Sequence, residues 1–322
     1  MKSIIVSESG GPEQLVVADV ADPSPDEGEV LVSVAAAGLN FIDTYQRGGL
    51  YPMDFPFTPG LEGAGSVLEV GAGVDRIEPG ETIAWTNVPG SYAAKHVIPA
   101  ERAIPVPSDI DPLIAAALPL QGITAHYLAI DTFPLTEGDR CVIHAGAGGV
   151  GLLLTQIAKM RGAEVFTTVG SEEKAELSRG AGADHVILYD ETDFEEEVEK
   201  IAGANAIDVV YDGVGATTFM KGLNLLRPRG TMVNFGSASG LAPDISPLVL
   251  MSKGSLFVTR PTMGDYLRTR EELLSRTHDL FDWVAHGDLD VRIGAEFALA
   301  DAADAHRALE GRKTSGKTLI RP

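Results

Sequence analysis

The chain has 322 residues, enough for two domains that each bury a core, and 44% of them are hydrophobic against 22% charged. Asp+Glu 46 against Lys+Arg 25 leave a net charge of −21, which repels nucleic acid and anionic membrane surfaces from most of the molecule. One cysteine, Cys141, excludes an intrachain disulfide and any cysteine-based zinc site.

The opening stretch MKSIIVSESGG lacks the basic start and long apolar run of a signal peptide, and the most apolar window, 111–130, is interrupted by Pro119, Gln121 and Gly122. A cytoplasmic protein with no membrane span is expected. Residues 1–110 read as short strands, SIIVS, EQLVVADV, EVLVSVAAAG, GAGSVLEVG, ETIAWT and AAKHVI, punctuated by Gly, Pro and Asp. That pattern suits a strongly bent sheet or partly open barrel. Residues 38–60 fit neither strand nor helix throughout, and loops of that length in compact domains are usually functional.

From Leu113 the texture turns helical, LIAAALPLQGITAHYLAI, and then strands and helices alternate. Strands are expected at CVIH, EVFTTV, DHVILY, AIDVVYD, GTMVNFG and SLFVTR, with helices over 150–161, 172–180, 194–201 and 217–226. Six strands are what two mononucleotide-binding halves need. Beyond Pro261 the sequence predicts one long helix over 264–286, a strand near ALA, a helix over 302–309 and a last strand TLI. This tail is expected to rejoin the first domain, giving 1–118 with 261–322 and 119–260.

The second domain is organised around DRCVIHAGAGGVGLLLTQIAKMRG. A buried strand leads into Gly146, Gly148 and Gly151 at the spacing G-x-G-x-x-G, with Ala147, Gly149 and Val150 between them, and an apolar helix follows. Gly146 is expected to permit the tight turn, Gly148 to let a pyrophosphate reach bare backbone, and Gly151 to let the helix pack on the strand. The free amides and the dipole at the helix start then hold the anion. Cys141 reads as an inert buried thiol, and His144 as a support for the turn.

The following strand ends TVGSEEK. NAD-binding proteins place an acidic residue there for the ribose 2′-hydroxyl. Here Gly170 and Ser171 form the tip, and Lys174 follows with a charge suited to a 2′-phosphate. Glu172 and Glu173 would oppose a phosphate, but acids are favoured in a first helical turn and can face water there. NADPH is therefore the expected coenzyme. Gly213 to Gly215, and Phe235 with Gly236, fall at carboxyl ends of strands, where ligands bind in such sheets. A second pattern, GRKTSGKT at 311–318, satisfies the phosphate-loop spacing, yet a helix precedes it and only LIRP follows. The helix that must hold the phosphate is missing.

GLNFIDTYQRGGLYP, PGLEGAG, LPLQGITAHYL, HAGAGGVGLLLTQIAKMRGA and GSLFVTRP, in this order over essentially the whole chain, resemble the zinc-independent, zeta-crystallin-like NADPH:quinone oxidoreductases of the medium-chain dehydrogenase/reductase superfamily. The resemblance implies an α/β fold: a GroES-like β-barrel catalytic domain plus a Rossmann doubly wound parallel-sheet cofactor domain, with the active site in the cleft between them. In the zinc-dependent relatives a Cys stands at Asn40 and a His at Leu61, and neither replacement holds zinc. No metal is expected. Without a Lewis acid, alcohol oxidation loses its main lever, which leaves a quinone or conjugated carbonyl as the hydride acceptor.

The same resemblance assigns Asn40, Tyr45, Tyr51 and Arg260 to the chemistry, and Asn40, Thr124, Lys174, Phe235, Gly236 and Lys317 to the coenzyme, with Tyr189 lining its adenosine side. It also implies a homodimer paired through SLFVT. Asp43 and Glu62 read as anchors for backbone amides, and no strong general acid stands out. Two other readings stay open: an alkenal or enone reductase using the same coenzyme, and a non-catalytic NADPH-binding or RNA-binding regulator. The net charge and the lack of a basic stripe weigh against RNA.

Overall fold

The computed structural model describes residues 1–322, and the chain divides into two units, 1–123 with 267–322 and 124–266. In chain order the first unit forms β1 (Lys2–Ile5), β2 (Val16–Asp19), β3 (Glu29–Leu39), α1 (Phe41–Arg47), β4 (Gly63–Val70), β5 (Thr82–Trp85), β6 (Lys95–Pro99), β7 (Ile104–Pro105) and α2 (Pro112–Ala117). The boundary falls within α3 (Pro119–Tyr127). The second unit follows with β8 (Arg140–His144), α4 (Gly149–Met160), β9 (Glu164–Val169), α5 (Glu172–Gly180), β10 (His185–Leu188) and α6 (Phe194–Ala202). It continues through β11 (Ile207–Asp212), α7 (Phe219–Leu225), β12 (Leu226–Asn234), α8 (Pro247–Ser252), β13 (Phe257–Thr259) and α9 (Met263–Tyr266). The chain then returns to the first unit as α10 (Arg270–His286), β14 (Ile293–Ala298), α11 (Ala302–Glu310) and β15 (Lys317–Arg321).

The sheet of the first unit runs β14-β15-β3-β4-β5-β7, with β6 also paired to β3. Its last-made strand, β15, lies antiparallel to β3, Thr318 opposite Leu39. Alternate residues of β3, Val30, Val32 and Val34, bury against Ile83, Trp85 and Ile98, the period-two pattern of a strand with one face in the core. The second unit is a six-stranded parallel sheet in the order β10-β9-β8-β11-β12-β13. Its central strands are apolar on both faces, and Val142, Phe166, Val210 and Met232 form one core. Strand order reverses between β8 and β11, the switch point at which open α/β sheets bind ligands.

Three expectations need correction. The long helix over 264–286 is broken: α9 ends at Tyr266, and α10 starts anew after Thr269. The Thr269 hydroxyl accepts from the Glu272 amide at 3.2 Å and the Glu272 carboxylate accepts from the Thr269 amide at 3.2 Å. This capping box starts a helix wherever it stands, and apolar spacing alone does not reveal it. The stretch 38–60 is not loop throughout, since it contains α1, so Tyr45 is a helical residue. The 217–226 helix stops at Leu225, where the chain passes directly into β12. The second glycine pattern sits between α11 and β15, with no helix after it.

Candidate functional site

The glycine turn after β8 is built by close packing. The backbone with positive φ is Ala145, at 56°, and not Gly146, which corrects the role expected for that glycine. A Cβ on Gly146 would lie 2.6 Å from Thr167 Cβ and 2.9 Å from Ser178 Oγ, and one on Gly151 would lie 2.3 Å from the Ala145 carbonyl oxygen. Both positions admit only hydrogen. At Gly148 the nearest atom to such a Cβ is the Ala145 oxygen at 3.1 Å, and the space beyond it is open. Gly148 is the N-cap of α4 and offers no side chain to cap it. The first amide bonded within the helix is that of Leu152, to Gly148 O at 2.9 Å. The amides of Gly149, Val150 and Gly151 are thus the unsatisfied donors of a helix start, with the positive end of the dipole behind them. This cradle fits a pyrophosphate. Ala147 is buried beside it, packed on Val169 and Ala175. His144 ends β8 with Nδ1 2.9 Å from Thr168 Oγ1, tying the turn to β9.

At the tip of β9, Ser171 caps α5, its hydroxyl accepting from the Lys174 amide at 3.4 Å. The hydroxyl proton remains for a ligand. Glu172 turns along the helix to Arg179, 2.6 Å away, and both Glu172 and Glu173 face water as expected. A Cβ on Gly170 would meet the Tyr189 hydroxyl at 2.7 Å and Asp190 Oδ2 at 3.2 Å. Tyr189 is therefore folded over the bare tip from the end of β10, a placement that suits an adenosine.

Two loops close the carboxyl edge of this sheet. Asp212 Oδ1 accepts from the amides of Val214 and Gly215 at 2.7 and 2.9 Å and from Thr218 Oγ1 at 2.9 Å. A Cβ on Gly236 would lie 2.4 Å from Gly213 O, and one on Gly213 would lie 3.0 Å from the Phe235 ring, so the loops pack back to back. Arg260 clamps the second loop: its Nη1 donates to Asn234 Oδ1 at 2.6 Å and to Gly236 O at 2.8 Å. Sequence reading missed Asp212 and Asn234. Their signal, a polar residue closing an apolar strand just before Gly-rich sequence, was there to be seen.

The first unit holds a second polar centre. Lys317 is paired with Glu62, and both side chains are buried, 1% and 0% exposed. The Asn40 amide donates to Glu62 Oε1 at 2.7 Å and accepts from Lys317 Nζ at 3.0 Å and Gln121 Nε2 at 3.2 Å. Glu62 Oε2 takes the Leu120 amide at 2.7 Å. Asn40 is thus locked by three side chains, and Lys317, assigned to the coenzyme by resemblance, is buried among them. Nearby, Asp43 Oδ2 accepts from the Asn40 amide at 2.8 Å and from the Tyr92 hydroxyl at 2.9 Å, while its Oδ1 is buried without a partner. The anchoring role expected of both carboxylates is what this geometry shows. Burial pushes the Asp43 carboxyl up to about 7, against the pull of those hydrogen bonds. Behind Tyr92, His306 Nε2 lies 3.4 Å from its hydroxyl, and Arg47 donates to His306 Nδ1 at 2.9 Å. Burial, reinforced by Arg47, lowers His306 to about 3. On α1 and beyond it, Tyr45 and Tyr51 stand edge to face at 5.5 Å, with Phe41 6.2 Å from Tyr45. Thr124 is a buried residue of α3.

The donors present do not fit zinc. Asn40 is committed to its three partners, Leu61 is apolar and buried, and no three His, Cys, Asp or Glu side chains cluster as ligands.

A parallel 3-2-1-4-5-6 sheet with an uncapped glycine turn at its switch point, in a chain whose other unit is a mostly antiparallel sheet, defines a dinucleotide-dependent oxidoreductase class. Residues 26–108 match the alcohol dehydrogenase GroES-like domain, and residues 149–278 match the zinc-binding dehydrogenase domain. A quinone oxidoreductase of Pseudomonas aeruginosa is 42% identical over 100% of this chain and 99% of its own. A 2-haloacrylate reductase of a Burkholderia species is 40% identical over 99% and 98%. The structure of Escherichia coli quinone oxidoreductase complexed with NADPH superposes with a TM-score of 0.98 at 40% identity, covering 100% of both chains. The chain belongs to the zinc-independent quinone oxidoreductases of the medium-chain dehydrogenase/reductase superfamily.

Proposed function

We propose that this chain is an NADPH:quinone oxidoreductase, and the observation that carries the reading is the glycine turn with its three free helix-start amides beside a β9 tip bearing Ser171 and Lys174. When bound, NADPH supplies the hydride that reduces the quinone. The chain's own groups bind and orient. The amides of Gly149, Val150 and Gly151 hold the pyrophosphate, over a floor made by Gly146, Ala147 and Gly148. Ser171 and Lys174 take the 2′-phosphate, and Gly170 and Tyr189 bound the adenosine. Phe235, Gly236, Thr124 and Lys317 complete the coenzyme assignment, Lys317 by holding Asn40 in place. Asn40, Tyr45, Tyr51 and Arg260 position the flat acceptor, the tyrosines through their ring faces.

The relative that reduces 2-haloacrylate favours one second reading, reduction of a conjugated carbonyl by the same coenzyme. Initial rates of NADPH oxidation with 1,4-benzoquinone and with a short 2-alkenal separate the two. Faster turnover of the quinone is expected, and preference for the alkenal would replace the main reading with the second.

We further read the chain as a cytoplasmic homodimer. No helix is long and apolar enough to cross a membrane. The outer edge of β13 has no partner strand, and Phe257 on it is 61% exposed, with Leu248 and Met251 of α8 at 66% and 63%. An apolar edge strand of this kind is stable when paired with a second copy. Sedimentation at micromolar concentration checks it: a dimer is expected, and a monomer would refute it.

A further inference from the structure

At the end of the second strand of a dinucleotide-binding sheet, a side-chain carboxylate selects NADH by accepting a hydrogen bond from the ribose 2′-hydroxyl, and a cation selects NADPH by pairing with the phosphate in its place. In this chain the residue at that tip is Gly170, which contributes neither. A carboxylate nevertheless reaches the same place from the adjacent strand. β10 runs parallel to β9 with Leu188 opposite Val169, so the residues just past both strand ends lie side by side. Asp190 Oδ2 comes within 3.2 Å of where a Gly170 Cβ would stand, next to the Tyr189 hydroxyl at 2.7 Å. Any side chain at position 170 would occupy that space.

The other acids of the region are not placed to do this. Glu172 is held by Arg179 at 2.6 Å, and Glu173 is an exposed residue in the first turn of α5. The Asp190 carboxylate is exposed, open to a ligand at the strand tip.

We propose that Asp190 is a specificity-determining residue that accepts the ribose 2′-hydroxyl of NADH, so that one site binds both reduced nicotinamide coenzymes, Lys174 and Ser171 favouring the phosphorylated one and Asp190 the other. The inference rests on the coenzyme reading above. It makes opposite demands on the two ligands: the carboxylate that bonds a hydroxyl repels a phosphate at the same position.

The test is equilibrium titration of the full chain with NADH and with NADPH, followed by reduced-nicotinamide fluorescence, for the unmodified protein and for Asp190→Asn and Asp190→Ala. Asp190 is exposed, and unchanged melting temperatures of the variants verify that they fold. Saturable NADH binding that NADPH displaces is expected. Both substitutions should weaken NADH by about tenfold, as loss of a charge-assisted hydrogen bond does, and leave NADPH unchanged or tighter. Equal weakening of both coenzymes would overturn the proposal, because it would place Asp190 on the adenine or on the fold. Unchanged NADH affinity in the variants would overturn it too, as would an unmodified protein that binds NADPH and not NADH. Failure to bind either coenzyme would instead strike at the coenzyme reading itself.

Discussion

Lys317 and Glu62, 255 residues apart in sequence, form an ion pair with both side chains buried, and Asn40 bonds to both members. Two opposite charges out of water are held only by each other and by the Asn40 and Leu120 groups around them. Removing one leaves the other uncompensated, which typically costs about 3–5 kcal/mol. Lys317→Met and Glu62→Gln should therefore each lower stability on that scale, read by urea unfolding. The double substitution should recover much of the loss, because it leaves no uncompensated charge out of water. Additive losses in the double variant would show that the pair is not coupled.

Stability should depend on pH through two buried groups on opposite sides of Tyr92. Asp43 rises from 3.8 to about 7 on folding, so its contribution is complete below 3.8 and is lost as pH rises to 7. His306 falls from 6.5 to about 3, so its contribution is complete above 6.5 and is lost as pH falls to 3. Between 3.8 and 6.5 the two slopes oppose each other. Asp43→Asn removes one of them, and the variant's stability should then climb with pH across that window more steeply than the parent's, by up to about 1.4 kcal/mol per pH unit. Urea midpoints at three pH values within the window are sufficient. Parallel profiles would exclude the titration of Asp43.

The glycines of the turn should separate fold from ligand. Gly151→Ala drives a Cβ to 2.3 Å from the Ala145 oxygen and should lower the melting temperature. Gly148→Ala meets only that same oxygen, at 3.1 Å, and projects into the space kept for the pyrophosphate. It should keep most of its stability and lose NADPH affinity. The reverse order of effects would mean that the anion is held elsewhere.

Much of this was legible in the sequence because it is local. The strand, the glycine spacing and the apolar helix of 139–162 are contiguous, and each follows from neighbouring residues. The acids after Ser171 could be set aside from helix-start preferences alone, and Glu172 does turn to Arg179. What stayed hidden is what the fold brings together. Lys317 belongs to a deceptive phosphate-loop pattern, and its partner Glu62 becomes visible only once β15 lies beside β3. Asp190 reaches Gly170 through the pairing of β10 with β9. His306 reaches Tyr92 from the tail of the chain. Gly146 was assigned the right importance for the wrong reason, since spacing cannot show that Thr167 and Ser178 press on it.

Lys174 at the β9 tip gives the simplest test of coenzyme choice. Lys174→Glu should weaken NADPH by about tenfold or more, the loss expected when a charged hydrogen bond worth about 1.5–3 kcal/mol is removed. Fluorescence titration reads it, and an unchanged affinity would take Lys174 out of the phosphate site.

The central claim is that a reduced nicotinamide coenzyme on bare backbone delivers hydride to a quinone without help from a metal. Its most direct measurement is rapid mixing of the NADPH-saturated protein with 1,4-benzoquinone, in buffer with and without a strong chelator. A saturable, protein-dependent loss of NADPH absorbance at the same rate in both buffers is expected. No binding of NADPH, or activity that disappears with the chelator from a protein carrying stoichiometric zinc, would contradict it.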